Sequence, residues 1–145
     1  MSKSNTFEND FLLLLFNNTN IGLVGDATGL RGSTTAGSLY LSLHTADPGE
    51  AGTQTTNEIA YTSYARKAVA RTAGEFSVSG NAVSLVSNQD FPAGTGGSGT
   101  ATHWGLGTDA SGTGKLLYKG ALSPTIVCGT GVTPRINAGV VVTED

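Results

Sequence analysis

The sequence predicts an all-β fold: a β-sandwich or jelly roll of about eight antiparallel strands behind an N-terminal helical arm. Three observations predict it. Residues Ser38–His44 alternate strictly, with Leu39, Leu41 and Leu43 on one side and Ser38, Tyr40, Ser42 and His44 on the other. That is the period of a strand with one face on a core and the other toward water. Turn signals rich in Gly, Ser, Thr and Asn recur at short intervals through the rest of the chain, which carries 21 glycines. Helix-period segments are missing between the strands, which argues against a parallel α/β sheet.

The elements follow in order. Over residues 5–17 the spacing predicts a short helix, with Asn5 as N-cap, Glu8 three residues on, and Asn17-Asn18 as the stop. Phe7, Phe11, Leu14 and Leu15 make one apolar face, and Leu12, Leu13 and Phe16 render the second half apolar almost all round. Such a helix needs cover on several sides. A neighbouring subunit or the chain's own domain could supply it. Residues 18–37 read as an extended or irregular connector with isolated anchors Ile21, Leu23, Val24 and Leu30. After the Ser38–His44 strand, Asp47-Pro48-Gly49 turns the chain into a long polar loop, 46–64, whose far end Ile59, Tyr61 and Tyr64 tie down.

Ala65–Arg71 is strand-like, and the segments 76–79 and 82–86 flank the hairpin turn Gly80-Asn81. Beyond the flexible tip Gly94–Gly99, a strand over 100–107 places Thr102, Trp104 and Leu106 together, with Trp104 read as core. Two further strands, 115–122 and 125–128, follow the turn Asp109–Gly114. The last, 135–143, places Ile136, Ala138, Val140 and Val142 on one face. This divides the chain into a helix and arm, 1–37, and a β-sandwich domain, 38–145.

Composition removes several functions. One cysteine, Cys128, leaves no intrachain disulfide framework and no multi-cysteine zinc site. A net charge of −3 with eight scattered basic residues lacks the footprint of a nucleic-acid binder. The apolar run Phe11–Phe16 is too short to span a bilayer and follows acids rather than a basic leader, so a soluble, unsecreted protein is expected. The glycosylation pattern Asn17-Asn18-Thr19 matters only in a secreted eukaryotic protein.

Residues that carry catalysis are sparse. Gly112-Thr113-Gly114-Lys115 resembles the end of a phosphate loop, but Asp109 stands where the first glycine belongs and Leu116 replaces the hydroxyl residue. No G-x-S-x-G elbow is present. His44, Asp47 and Glu50 make a poor metal set, since Pro48-Gly49 turns the chain between the acids and no second histidine is near. His44 reads as a strand-end residue on the solvent face, His103 as surface or interface, and Cys128 as a buried inert thiol. No catalytic residue, cofactor or metal is therefore expected. A small hydrolase would have to depend on His44 or His103. The basic cluster Arg66, Lys67 and Arg71 lies near Glu58 and Glu75, either as a solvated face or as an intersubunit contact.

The run Leu41–Gly52 (LSLHTADPGEAG), with Thr56-Asn57-Glu58-Ile59, Tyr64-Ala65-Arg66, Phe91-Pro92 and the closing Val142–Asp145, resembles a family of small tailed-phage virion proteins. Members are often labelled tail-fibre proteins, and some are similar to jelly-roll cement, or head-decoration, proteins. The resemblance implies a jelly roll without catalysis, seated on the outer surface of the capsid and assembled in the host cytoplasm. Its implied partners are the major capsid protein and further copies of itself, a dimer before a trimer, with neither nucleic acid nor membrane. Phe7, Phe11, Leu12, Leu14, Leu15, Phe16, Arg66, Lys67 and Arg71 are then the expected interface residues. The leading expectation is a capsid cement protein that bridges coat subunits and stabilises the head by mass action. The alternative is a tail, baseplate or tail-fibre module, with Trp104 or Tyr118 as a receptor-glycan contact.

Overall fold

A computed structural model describes residues 2–25, 29–30 and 32–144. Asp26, Ala27, Thr28 and Arg31 of the connector, Asp145 of the closing string and the Val140 side chain lie outside what is described. The fold is all-β apart from one helix. Helix α1 (Asn5–Asn17) precedes strands β1 (Ser38–His44), β2 (Lys67–Ala70), β3 (Phe76–Ser79), β4 (Ala82–Leu85), β5 (Gln89–Asp90), β6 (Ser98–Gly107), β7 (Leu116–Gly129), β8 (Arg135–Ile136) and β9 (Gly139–Thr143). The strands form sheets ordered β2-β1-β6-β7, β3-β4-β9 and β5-β8, and the described pairings are antiparallel.

The chain divides into two compact units. The first holds residues up to Ser38, Ala70–Ser87 and the segment from Asn137 on; the second holds Leu39–Val69 and Asn88–Ile136.

In the first unit, α1 buries the stripe Glu8, Leu12 and Phe16 at i, i+4 and i+8. The face inferred from sequence (Phe7, Phe11, Leu14, Leu15) is rotated away from that stripe: Phe7 is 41% exposed and the other three are half-buried. The run of apolar residues holds two overlapping stripes, and the Phe76 ring selects one of them. Phe16 meets Phe76 edge-on at 5.0 Å between centroids. Ser4, not Asn5, is the N-cap, because its extended backbone lets Oγ accept from Phe7 N–H at 3.4 Å. Asn18 ends the helix in the left-handed region, φ 57°, and Thr19 N–H reaches back to the Leu13 carbonyl.

Of the two forms expected for the connector, its described residues take the irregular one. Ile21 and Leu30 exchange two 2.9 Å backbone bonds, and the Asn18 amide both donates to and accepts from the Ser33 backbone. The β3–β4 hairpin turns at Gly80, whose φ of 60° supplies the positive value such turns need.

In the second unit the two faces of the four-stranded sheet differ. Directly opposed residues share a face, so the pairs Leu43–Trp104, Leu41–Leu106 and Leu106–Tyr118 define an apolar side. Trp104, expected in the core, is only half-buried and lies over Gly120, where a Cβ would come within 2.6 Å of the indole Nε1. β7 is one strand of 14 residues rather than two; its register shifts opposite Ala101–His103, around Ser123-Pro124, without ending the ladder. The final segment behaves oppositely. Residues 135–143 break into β8 and β9, which belong to different sheets, with Gly139 at φ 144° opening β9.

Candidate functional site

The second face of the sheet carries Ser42, His44, His103, Gly105, Gly107 and Lys119, and it is where sequence and structure part most sharply. Ser42 and His44, expected on the solvent side, are fully buried. The loop after β1 folds back over them. His44 Nδ1 lies 2.8 Å from the Thr56 carbonyl, which can only accept, so Nδ1 carries the proton. Nε2, 2.8 Å from Ser42 Oγ, then accepts from that hydroxyl. Burial holds the imidazole pKa below its usual value.

Gln54 is the loop's second grip. It is fully buried, its Oε1 accepts from Asp109 N–H at 2.9 Å, and its own N–H donates to the Thr113 carbonyl. Two glycines on β6 make room for these side chains. A Cβ at Gly105 would stand 2.7 Å from His44 Nε2, and one at Gly107 would stand 2.2 Å from Gln54 Cδ. The loop side chains sit in slots that only glycine leaves open.

Arg66 is the third grip. Its Nε and Nη2 form a bidentate pair with Glu58 at 2.7 and 2.8 Å, while Nη1 and Nη2 donate to the Asp109 and Gly112 carbonyls. The Glu58 hydrogen bond is the main reason its pKa lies above the usual arginine value. Tyr64 O–H donates to Glu58 at 2.9 Å and itself accepts from Leu43 N–H. Burial pushes the Tyr64 pKa far up, so the phenol stays protonated. Arg66, Gln54 and Tyr64 thus tie the 46–64 loop, the Asp109–Gly114 turn and β1 into one body. Neither segment is a loose tip.

Beyond these grips the loop reaches β7. Lys119 pairs with Asp47 at 3.1 Å and Glu50 at 3.2 Å. A cleft of about 260 Å³ lies there, lined by Gly49, Glu50, Gly52 and Leu116–Lys119.

Residues 2–144 match the protein family described as podophage GP4 fiber I protein gp80. The chain belongs to that family. It is therefore a structural protein of a phage virion, as the resemblance of its central string implied. No curated protein matches it.

Within this gp80-family chain the expected interface residues are scattered. Leu12 and Phe16 are fully buried, and Phe7, Phe11, Leu14 and Leu15 are the helix residues left partly or largely open. Arg71 lies in the first unit, where its guanidinium donates to the Leu14, Leu15 and Ala36 carbonyls. The Arg66 side chain is only 2% exposed. These two arginines hold their own chain, while Lys67, the third basic residue, is half-buried on β2. Cys128 is buried, and burial raises its pKa. Among the described residues no group of three or more His, Cys, Asp or Glu could hold a metal ion, and no helix is long and apolar enough to cross a membrane. Sequence reasoning missed Gln54 and the slots at Gly105 and Gly107; glycine at alternate positions of a strand facing a polar loop was the available signal.

Proposed function

We propose that the chain is a fibre subunit of the virion, working by protein–protein contact and not by catalysis. The observation that carries this reading is the match of residues 2–144 to a family described as a podophage fibre protein. The use of polar side chains supports it. Ser42 and His44 are hydrogen-bonded in the manner of a nucleophile and base, yet both are buried and serve to fasten a loop.

The capsid-cement reading is the second candidate, supported by the resemblance of Leu41–Gly52 to head-decoration proteins. In that role the chain would bridge major capsid protein subunits on the outer surface. Copy number separates the two. Quantitative mass spectrometry of purified virions, with gold-labelled antibody in electron micrographs, is expected to find few copies confined to fibres. Hundreds of copies spread over the head, with a lower DNA-release temperature in particles lacking the protein, would overturn the fibre reading in favour of cement.

A further inference from the structure

Besides His44, the loop 46–64 is held by Gln54, by Arg66 and by the Lys119–Asp47 pair. Gln54 carries no charge. Hydrogen bonds to Glu58 and Asp47 raise the pKa of Arg66 and of Lys119, and the Gly49 N–H is the chief cause that lowers that of Asp47. Those charges persist from neutral into mildly acid solution. His44 is the tie whose ordinary pKa, about 6.5, falls inside that range. Its closed site has no place for a second proton. Nδ1–H is spent on the Thr56 carbonyl, and Nε2 accepts from Ser42 Oγ. Protonating Nε2 turns the second bond round. The Ser42 hydroxyl hydrogen, which has no other partner among the described residues, is then orphaned in a fully buried site. The charges packed around the imidazole come from three elements. His103 of β6 stands directly opposite, Lys119 of β7 lies beside Gly105 and is shared by Asp47 and Glu50, and Glu58 bridges from the loop with its carboxylate held by Arg66. Burial is the main cause that keeps the proton off; Arg66 and His103 act with it, the Thr56 carbonyl and Glu58 against it.

We propose that His44 is an acid-released latch: when it takes up a proton, the stretch Thr55–Asn57 lifts off the end of β1, while the grips at Gln54 and Glu58 on either side stay closed. Lifting lets water reach the imidazole and the Ser42 hydroxyl, which supplies the acceptors the closed site lacks. Few bonds have to part. They are the His44–Thr56 bond and the two that the Asn57 carbonyl accepts from Thr45, at 2.8 Å from its N–H and 3.1 Å from its hydroxyl. Asn57 stands in the left-handed region at φ 56°, a conformation held by its surroundings, so release also relieves the backbone. The movement reaches the outside of the loop. The Asn57 amide donates to the Asp47 carbonyl at 3.1 Å, and beyond Asp47 lies Glu50, whose side chain is 95% exposed. A partner that grips this crest would find it fixed near neutral pH and loosened in mild acid.

The latch goes beyond the fibre reading and is tested on the purified full-length chain, so its failure leaves the location in the particle untouched. Site-resolved amide exchange, corrected for the intrinsic effect of pH, reads it at Thr45, whose N–H donates to the Asn57 carbonyl. Opening there should grow by up to about tenfold per pH unit below about 6.5. The Gln54 amide, bonded to the Thr113 carbonyl, and the amides of α1 should keep their protection. His44→Gln, which has no proton to take up, should hold Thr45 protection level across the same range. Nuclear magnetic resonance of the unaltered chain gives a second reading that needs no variant: the His44 imidazole should be the Nδ1–H tautomer near neutral pH and titrate below the ordinary histidine value. Thr45 protection that is flat with pH overturns the latch, as does a loss shared equally by Gln54 and α1. So does a His44→Gln chain that opens like the unaltered one, which would move the switch to His103, or a His44 that titrates at or above the ordinary value.

Discussion

Arg71 and Arg66 fasten the two units in different ways. Arg71 gathers mainly main-chain carbonyls, Leu14 and Leu15 at the end of α1, each at 2.6 Å, and Ala36 at 3.0 Å, with the Ser33 hydroxyl at 3.4 Å. A cation there also meets the negative end of the helix dipole. Arg66 instead holds a carboxylate and two carbonyls from separate loops. Around Arg71 the unit is closed by apolar burial, with Phe16, Phe76, Val83 and Leu85 at its centre. Around Arg66 it is closed by buried polar side chains, Ser42, His44 and Gln54. The second unit adds buried, hydrogen-bonded polar side chains to an apolar core of its own, with Leu41, Leu43, Phe91 and Leu106, so different perturbations should find the two.

The largest effect is expected from Phe16→Ala, which removes a fully buried ring and its contact with Phe76. It should cost about 4 kcal/mol in urea unfolding, with amide exchange rising along α1. Arg66→Ala should cost about 3 kcal/mol, because Glu58 and the Asp109 and Gly112 carbonyls lose their donor together. Exchange should then rise in residues 54–58 and 109–114; unchanged protection there would break the contrast between the units.

A smaller effect separates them by pH. The His44 pKa is lowered in the folded state, so the unfolded chain binds its proton first. Stability from this group is complete above the ordinary histidine value and is lost as pH falls below it, by at most about 1.4 kcal/mol per pH unit. Glu58 and Arg66 face the imidazole with opposite influence, and His103 adds to Arg66. Chemical unfolding between neutral and mildly acid pH should show this slope, and His44→Gln should flatten it. The partners of Arg71 are carbonyls and the Ser33 hydroxyl, which do not titrate in this range, so α1 should show no matching change. The smallest effect is expected at Ser4→Ala, about 0.5 kcal/mol, given the long 3.4 Å cap bond of an exposed residue.

What could be read from the sequence follows the same division. The alternation of Leu39, Leu41 and Leu43, the Gly80-Asn81 hairpin and the short spacing of turns gave away the β class, because burial of apolar side chains leaves a period. α1 was visible for the same reason, though its orientation was not. With Leu12 to Phe16 apolar almost throughout, only the position of Phe76 selects the buried stripe. The polar grips leave no period. His44, Gln54 and Arg66 look like surface residues until the loop folds over them, and their partners are largely main-chain oxygens, which every residue has. The resemblance of Leu41–Gly52 pointed to phage virion proteins, but that string is mostly loop anchorage, and anchorage says little about what the outside of the loop meets.

The placing of those anchors has a consequence of its own. Gln54, Thr56 and Glu58 secure the loop on the side leading toward β2, and Asp47, through the Asn57 amide at 3.1 Å, secures its start. Near the middle of the stretch between them stands Glu50, whose side chain is 95% exposed. A crest fixed at its feet and bare at its top can exchange surface residues such as Glu50 and Ala51 without disturbing the fold beneath. That arrangement lets the part that is seen vary while the part that carries it stays the same.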